Sequence, residues 1–307
     1  VAMVKLTRYE GNPILEPIPE HSFEATNTSN PGATIYNDKV YILYRAGSDQ
    51  KRWETTKEYP VTYLGLAVSS DGFHIDQRRA QPVLGPEPRD GFGEHGIQDA
   101  RIAKIGDTYY LTSATVSRWG DRLILHKTTD FETFHRVGFI QPEHEMRTAG
   151  MFPQKFGGDY CFLLRYAPNM WISYTPDFKT WHSTKLMFET KLHSWYGMKL
   201  GMSCTPIRQD DAWLLFWHGR DDRALNKYRL GVMWLDLDDP SKILRVQDEP
   251  ILKPEAEYEI SGGLYPYCCY ACGAAEKDGR YLVYYGAADH VACVASVPIE
   301  RCSLRNQ

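Results

Sequence analysis

The chain has 307 residues, a hydrophobic content of 43%, an aromatic content of 13% and a formal net charge of −4. This length suits one large domain or two ordinary ones. A slightly acidic chain has no overall basic field for nucleic acid, and no apolar run reaches the length of about 18 residues that a membrane-spanning helix needs. We therefore expect a globular protein with neither nucleic acid nor a membrane as its partner.

A unit of two strands joined by a tight polar turn recurs along the chain. The turns hold Asn, Asp and Gly, which supply the positive φ angles that tight hairpins need. The second strand of each unit is rich in Tyr, Trp, Leu and Val, as buried and half-buried strands are. The units begin at Ala33, Ala100, Met151, Thr205 and Gly273.

Further strands follow each hairpin. A similar bend appears in three of them, as VSSDGFHI from Val68, KTTDFETFHRV from Lys127 and YTPDFKTWHS from Tyr174. The last segment, from Val291, is short, so we expect a strand from the N-terminus to complete it. A connector also repeats, as NPILEP at Asn12, QPVLGP at Gln81 and EPILKP at Glu249.

These repeats predict an all-β fold, a single five-bladed β-propeller that occupies residues 1–307. Four strands in about 50 to 70 residues is the spacing of propeller blades, and no amphipathic helix of appreciable length interrupts the series. A double-sheet sandwich is the competing all-β fold, and it does not explain the fivefold repeat.

Polar residues recur at the positions where the repeat predicts that the ends of the strands converge on one site. The innermost strands of a propeller line its central channel, and their N-terminal ends point at one mouth. Arg offers a fork of donors suited to phosphate, and Lys adds a point charge. The pattern therefore predicts a site for a polar substrate together with an anion. The residues near the first strands are Asn30, Gln98, Asp99, Arg101, Arg147 and Lys199, and those at the ends of the second strands are Arg45, Arg165, His218 and Asp289.

Structural roles are the alternatives for these residues. An Asp at the start of a strand often caps a turn, and Arg45 and Arg165 could extend past their aromatic strands into solvent. His218, in FWHG, could be a buried histidine. Three other histidines have no such setting and are expected on the surface: His95, His144 and His193.

The seven cysteines are expected to be reduced thiols. Their odd number and scattered positions favour a cytoplasmic protein, as does an N-terminal segment without a signal-peptide pattern. Cys269 and Cys272 form a C-x-x-C pair with no second pair and no His at ligand spacing. We interpret them as buried small side chains and not as a metal site.

The chain resembles the mannoside phosphorylases and mannosidases of glycoside hydrolase family 130. The resemblance covers almost the whole chain and lies in a series of segments in the same order. These are NPILEP at Asn12, SNPGA from Ser29, LYR ending at Arg45, EHGIQDARI from Glu94, RTAGMFPQK from Arg147, FLLRY from Phe162, MKLGMSCTPI from Met198, LLFWHG from Leu214, LDLDDPSKIL from Leu235 and YYGAAD ending at Asp289.

The resemblance implies an inverting phosphorolysis of β-1,2- or β-1,4-linked mannosides to α-mannose 1-phosphate and a shortened acceptor. Asp99 would be the proton donor, acting through the 3-hydroxyl of the mannosyl unit. No metal or cofactor is implied, because inorganic phosphate is the co-substrate, and a homo-oligomer is possible. Phosphate would be held by Arg147, Arg165, Lys199, His218 and Tyr228, and the mannosyl unit by Asn30, Arg45 and Asp289, with Arg101 grouped with them.

Several positions depart from the family pattern. Gln98 stands where a Glu often precedes the aspartate, Ala100 replaces a common Pro, and Thr148 and Gln154 are also unusual. They leave the acceptor and the linkage open. The alternatives are a β-mannosidase that uses water, and a non-catalytic carbohydrate-binding propeller. A hydrolase is expected to lose the basic set and to gain a carboxylate base.

Overall fold

The computed structural model describes residues 3–52, 56–222 and 227–306, and they form five small sheets around one axis. The prediction of an all-β, five-bladed propeller is confirmed. In this part of the chain the only α-helix is α1 (Glu257–Ile260), and no helix is long and apolar enough to cross a membrane. Short 3₁₀ turns cover Ser22–Glu24, Pro88–Asp90, Ile299–Cys302 and Leu304–Asn306.

In the first four blades the antiparallel strands follow the chain outward from the axis. The strand β1 (Thr7–Arg8) lies apart from its neighbours in sequence and belongs to blade 5. Blade 1 contains β2 (Asn27–Tyr36), β3 (Lys39–Arg52), β4 (Thr56–Ser69) and β5 (Gln77–Arg78), and blade 2 contains β6 (Ile97–Ile105), β7 (Thr108–Thr115), β8 (Arg122–Thr128) and β9 (His135–Ile140).

Blades 3 to 5 follow the same plan. In blade 4 the inner strand is interrupted, so that two short strands pair with one long one. Blade 3 contains β10 (Ala149–Phe156), β11 (Asp159–Tyr166), β12 (Asn169–Thr175) and β13 (His182–Phe188); blade 4 contains β14 (Lys199–Met202), β15 (Ile207–Arg208), β16 (Trp213–Arg220), β17 (Tyr228–Leu235) and β18 (Ile243–Val246); blade 5 contains β19 (Cys269–Lys277), β20 (Arg280–Ala287), β21 (Val291–Pro298) and β1.

Each blade packs on the next through its own apolar cluster. Between blades 3 and 4, for example, the rings of Phe152 and Trp213 meet edge to face, with centroids 5.2 Å apart. Comparable clusters fill the other four junctions. Cys269 lies in the cluster between blades 4 and 5, and both it and Cys272 are fully buried free thiols. Their interpretation as small buried side chains is confirmed.

The repeated bend has one structural cause in blades 1 to 3. In each, the carboxylate of an Asp accepts hydrogen bonds of 2.7–2.9 Å from the backbone amides two and three residues later. A Ser or Thr hydroxyl two residues before the Asp accepts a third amide bond. The side chains thus replace strand pairing where the chain turns between its third and fourth strands. The aspartates are Asp71, Asp130 and Asp177.

The repeated connectors are also equivalent in space. Leu15, Leu84 and Leu252 each form an antiparallel bridge with the third strand of a blade. Their partners are Ala292, Leu64 and Leu230 in blades 5, 1 and 4. The connector therefore marks the passage from one blade to the next, as its repetition in the sequence predicts.

The N-terminal strand completes blade 5, which confirms the expectation from its short last segment. Thr7 and Arg8 of β1 pair with Ser296 and Ala295 of β21. The Arg8 guanidinium also donates two hydrogen bonds of 2.8 Å to Glu259, whose carboxylate is completely buried. The N-terminal strand is therefore held in blade 5 by backbone pairing and by a partly buried ion pair.

In blades 1 and 2 the first strand begins earlier than the sequence predicts, because it continues through a β-bulge. The register of β2 shifts between Ser29 and Gly32, and that of β6 shifts between Gln98 and Arg101. Within these bulges Asn30 and Asp99 have φ of 49° and 60°. A bulge adds a residue that the partner strand does not match, and it re-aims the side chains around it. These polar residues therefore lie within the inner strands and not before them.

We predict that Arg8→Met lowers the free energy of unfolding by about 3–5 kcal/mol, because it leaves a buried carboxylate without its partner. Burial alone would raise the pKa of Glu259, but the hydrogen bonds from Arg8 and from two backbone amides outweigh it and hold that pKa below its usual value. The stabilisation that the Arg8–Glu259 pair gives to the folded state is therefore present at neutral pH, and it is lost as the pH falls through the lowered pKa of Glu259.

Denaturant unfolding at pH 7 and at pH 4 measures this effect. Arg79→Met, which removes an exposed pair with Glu132, is the matched control and is expected to change the free energy of unfolding by less than about 1 kcal/mol. Equal effects of the two substitutions at pH 7 would contradict a special role of Arg8 in closing the ring.

Candidate active site

A cavity of about 310 Å³ opens at one mouth of the propeller axis and receives side chains from all five blades. Most of the residues that the sequence singles out line it together. We call the side formed by blades 5, 1 and 2 the carboxylate wall, which holds Asn30, Arg45, Asp99 and Asp289. The side formed by blades 3 and 4 is the cationic wall, which holds Arg147, Arg165, Lys199, Arg220 and Tyr228.

Arg45 organises the carboxylate wall. It comes from the second strand of blade 1, and its guanidinium donates to the Asp289 carboxylate and to the Ser29 hydroxyl, the latter at 2.9 Å. Its Nη1 lies 3.6 Å from Oδ1 of Asp99. The same Asp99 oxygen accepts a 3.0 Å hydrogen bond from the Asn30 side-chain amide. Asp99, only 5% exposed, is thus fixed at the floor of the cavity.

The cationic wall brings several positively charged side chains together with few carboxylates to balance them. Arg147 is paired through Nε with Asp121, at 2.7 Å. Burial, together with the charges of Arg165, Arg220 and Arg147, lowers the pKa of Lys199 to about 7. An ammonium group under that repulsion is stabilised when an anion enters. The wall is therefore suited to hold a dianion such as phosphate.

His218 lies behind this wall and does not line the cavity. It is completely buried, with Nε2 3.3 Å from Nη1 of Arg165 and Nδ1 3.2 Å from the Ser203 hydroxyl. Burial, followed by the charges of Arg165 and two other cations, holds its pKa well below the usual value. The imidazole is therefore neutral, and because Arg can only donate, Nε2 accepts and Nδ1 carries the proton.

Arg101 does not lie where a substrate-binding residue would, so that assignment needs correction. Its side chain is 2% exposed and lies in the channel beneath the floor of the cavity. It donates to the backbone carbonyl of Asp99 at 3.0 Å, to the carbonyl of Ser203 at 3.0 Å and to the Tyr270 hydroxyl at 3.1 Å. Because the bulge directs it inward, Arg101 ties blades 2, 4 and 5 together and supports the backbone of Asp99.

Comparison with known proteins agrees with this geometry. A family model described as beta-1,4-mannooligosaccharide phosphorylase, of glycoside hydrolase family 130, matches residues 5–303. The chain belongs to glycoside hydrolase family 130. The predictions that it resembles this family and is an enzyme of the phosphorylase kind are confirmed.

Individual members of family 130 are similar over their full length. The chain is 36% identical to a beta-1,2-mannobiose phosphorylase of Thermoanaerobacter sp. (strain X514), covering 97% of this chain and 99% of that protein. It is 35% identical to a 1,2-beta-oligomannan phosphorylase of the same strain, covering 95% and 97%. Its structure is similar to that of the beta-1,2-mannobiose phosphorylase from Listeria innocua in complex with beta-1,2-mannobiose, with a TM-score of 0.85, 27% identity and 98% coverage of each chain.

Several residues that line the cavity were not predicted from the sequence. Arg220 lies two residues after His218 on β16, and that spacing places both side chains on the same face of the strand. Tyr265 comes from the loop before the inner strand of blade 5, and Tyr270 comes from that strand itself. The remaining ones are Leu264 and Cys268, which precede the inner strand of blade 5, and Asn27, Arg52, Tyr59, Pro60 and Thr62, which belong to blade 1.

The three histidines that were expected on the surface do not all lie there. His95 is not a surface residue, since it is 6% exposed and its backbone pairs with both Val116 and Thr62. His144 and His193 are largely exposed, as predicted.

Among the described residues no group of three His, Cys, Asp or Glu side chains is placed to hold a metal ion.

We predict that anion binding at the cationic wall is coupled to proton uptake by Lys199. Because its pKa is about 7, the affinity for sulfate, whose charge is constant from pH 6 to 9, should fall by up to about tenfold per pH unit above pH 7. Lys199→Arg keeps its charge throughout this range and should flatten the dependence. Isothermal titration calorimetry with sulfate measures both.

Lys104→Arg, on an exposed position of the same propeller, is the control and should follow the unaltered protein. If Lys199→Arg shows the same loss of sulfate affinity with rising pH as the unaltered protein, another group is responsible for it.

Proposed function

We propose that this protein is a β-mannoside phosphorylase that cleaves β-linked mannosides with inorganic phosphate, inverts the anomeric configuration, and yields α-mannose 1-phosphate and a shortened acceptor. The observation that carries the proposal is the cavity itself. Asp99 lies on one wall and faces a wall of Arg147, Arg165, Lys199 and Arg220 on the other. A mannosyl unit between the two walls would have an acid on one side and an anion site on the other.

In the proposed reaction the Asp99 carboxyl group supplies the proton for the leaving glycosidic oxygen, directly or through a mannosyl hydroxyl. An oxygen of hydrogen phosphate forms a bond to the anomeric carbon from the opposite face as the bond to the leaving oxygen breaks. The new phosphate ester loses its remaining proton to solvent, and solvent reprotonates Asp99. Positioning and charge complementarity account for the rate acceleration.

The absence of a second suitable carboxylate favours phosphate over water. An inverting hydrolase needs a carboxylate base about 6.5–9.5 Å from the acid, on the far side of the sugar. In the described lining the only other carboxylate is that of Asp289, which lies on the same wall as Asp99 and pairs with Arg45. The far wall offers cations, which bind phosphate and do not activate water as a base would.

We propose β-1,2-linked mannosides as the first substrates to test. The two similar Thermoanaerobacter proteins are phosphorylases whose names specify that linkage. The family description names the β-1,4 linkage, so both disaccharides belong in the same assay.

The proposed function predicts that β-1,2-mannobiose is consumed only when inorganic phosphate is present. The product is then α-mannose 1-phosphate, which ³¹P and ¹H NMR identify together with its anomeric configuration. Release of free mannose at an equal rate without phosphate would show hydrolysis. Saccharide binding without any turnover would show a binding propeller.

We predict that Asp99→Asn lowers kcat by about 10²–10⁴-fold, the usual contribution of a general acid, while saccharide binding persists. The amide keeps the size of the side chain and can still face Asn30, but it carries no acidic proton. Asp107→Asn, in the exposed turn between β6 and β7, is the matched control and should keep the full rate. Near-complete activity of Asp99→Asn would show that Asp99 is not the proton donor.

A further inference from the structure

Tyr270 has a central position that the proposed chemistry does not use. It belongs to β19, the inner strand of blade 5, and its side chain lines the cavity although the residue is only 8% exposed. Its hydroxyl lies 3.1 Å from Nη2 of Arg101 in blade 2 and 3.1 Å from Oγ1 of Thr148, which precedes the inner strand of blade 3. Its ring packs on that of His218 in blade 4, with centroids 4.4 Å apart. One side chain therefore contacts three other blades.

Arg101 determines the direction of the hydrogen bonds that Tyr270 makes. A guanidinium can only donate, so the Tyr270 oxygen accepts from Arg101. The hydroxyl hydrogen is then directed to Thr148, the other partner of this hydroxyl in the described part of the chain. A phenylalanine at this position would keep the ring against His218, but it would leave both Arg101 and Thr148 without this partner.

Thr148 connects Tyr270 to the cationic wall. It directly follows Arg147 in the chain and is only 1% exposed. Its backbone carbonyl accepts a 3.0 Å hydrogen bond from the backbone amide of Arg165. A displacement of Thr148 would therefore displace two of the arginines that form the wall.

A second path joins Arg101 to Arg165, so that the hydrogen bonds form a closed ring. Nε of Arg101 donates to the carbonyl of Ser203 at 3.0 Å. The Ser203 hydroxyl accepts from Nδ1 of His218 at 3.2 Å, and Nε2 of His218 accepts from Arg165 at 3.3 Å. The ring runs through Arg101, Tyr270, Thr148, Arg165, His218 and Ser203, all of them buried.

The ring reaches both sides of the proposed reaction. At one point Arg101 donates to the backbone carbonyl of Asp99 at 3.0 Å. Asp99 has a φ of 60°, and such a backbone conformation persists only where its surroundings hold it. At another point the ring includes Arg165, whose guanidinium lines the cavity. A buried polar network specifies one geometry when all its members are satisfied, and it loses this property when one hydrogen bond is missing.

We propose that Tyr270 is a positioning residue that holds Asp99 and Arg165 in register across the cavity. Its hydroxyl acts through Arg101 on the side of the acid and through Thr148 on the side of the anion. The effect on turnover rests on the proposed function, whereas the effect on anion binding does not. The two effects therefore need separate measurements.

Isothermal titration calorimetry with sulfate measures the effect on anion binding. Tyr270→Phe and Thr148→Val should each raise the Kd of sulfate by about threefold to tenfold, the range of one lost hydrogen bond. Thr148→Ser keeps the hydroxyl and should bind sulfate as the unaltered protein does. Since both substitutions break the same hydrogen bond, the double variant Tyr270→Phe/Thr148→Val should be no weaker than the weaker single variant.

Tyr281→Phe is the matched control. Tyr281 is 2% exposed, and its hydroxyl accepts a 3.2 Å hydrogen bond from Gln209, away from the residues that line the cavity. Its loss should lower the free energy of unfolding in denaturant by about as much as Tyr270→Phe does, because each removes one hydroxyl from a buried tyrosine. The affinity of Tyr281→Phe for sulfate should stay unchanged, which separates positioning from general destabilisation.

Phosphorolysis of β-1,2-mannobiose measures the effect on the acid. At saturating phosphate, Tyr270→Phe and Thr148→Val should lower kcat by about tenfold and change the KM of the disaccharide by less than about twofold. An unchanged kcat would overturn the link to Asp99. An unchanged Kd of sulfate in both variants, or an equal loss of affinity in Thr148→Ser, would overturn the link to Arg165. An unaltered protein that binds sulfate but converts no mannoside would overturn the proposed function, and the sulfate titrations would still decide whether Tyr270 positions the anion site.

Discussion

The structure depends on closure of the ring by a strand of two residues. β1 enters blade 5 from the opposite end of the chain, and Arg8 anchors it to the buried carboxylate of Glu259. Tyr285, on the second strand of the same blade, donates to that carboxylate as well. Each blade packs on each of its neighbours through one apolar cluster. If β1 were missing from blade 5, the clusters on both sides of that blade would become exposed. Closure is what brings side chains from all five blades to one mouth.

Blade 1 contains a second buried glutamate with the same kinds of partners. Glu24 accepts from Tyr44, on the second strand, and from Arg78, on the fourth. The two clusters occupy the blades on either side of the closing junction. A buried carboxylate is costly unless it is paired and hydrogen-bonded, and in both blades the same three residue types meet that requirement.

The closed ring separates two kinds of charge across one cavity. Blades 5, 1 and 2 supply Asp99, Asp289 and the arginine that holds them, whereas blades 3 and 4 supply cations. The bulges in the inner strands are essential to this division, because they place Asn30 and Asp99 in left-handed backbone conformations and direct polar side chains into the cavity. Propellers support many functions, and the chemistry here follows from these few residues and not from the fold.

Much of the architecture was predictable because the sequence repeats. The hairpin turns, the Asp-based bends and the Asn12 and Gln81 connectors are local signals, and the number of blades follows from counting them. The convergence of Arg45, Asp99 and Arg165 was predictable because strand ends in a propeller share one mouth.

The remaining features depend on register and side-chain geometry. A bulge leaves no reliable mark in the sequence, so Arg101 was expected in the substrate site and is instead beneath it. The role of His218 depends on which of its ring nitrogens Arg165 reaches, and His95 is buried by chain segments far from it in sequence. Those contacts form only when the blades come together.

The central claim is that Asp99 and the cationic wall face each other across the mannosyl site. A crystal structure of the protein grown with inorganic phosphate and mannose tests it most directly. The account predicts a phosphate ion in contact with Arg147, Arg165 and Lys199, with the sugar between that ion and Asp99. An ordered phosphate elsewhere, or an Asp99 carboxylate turned away from the bound sugar, would contradict it.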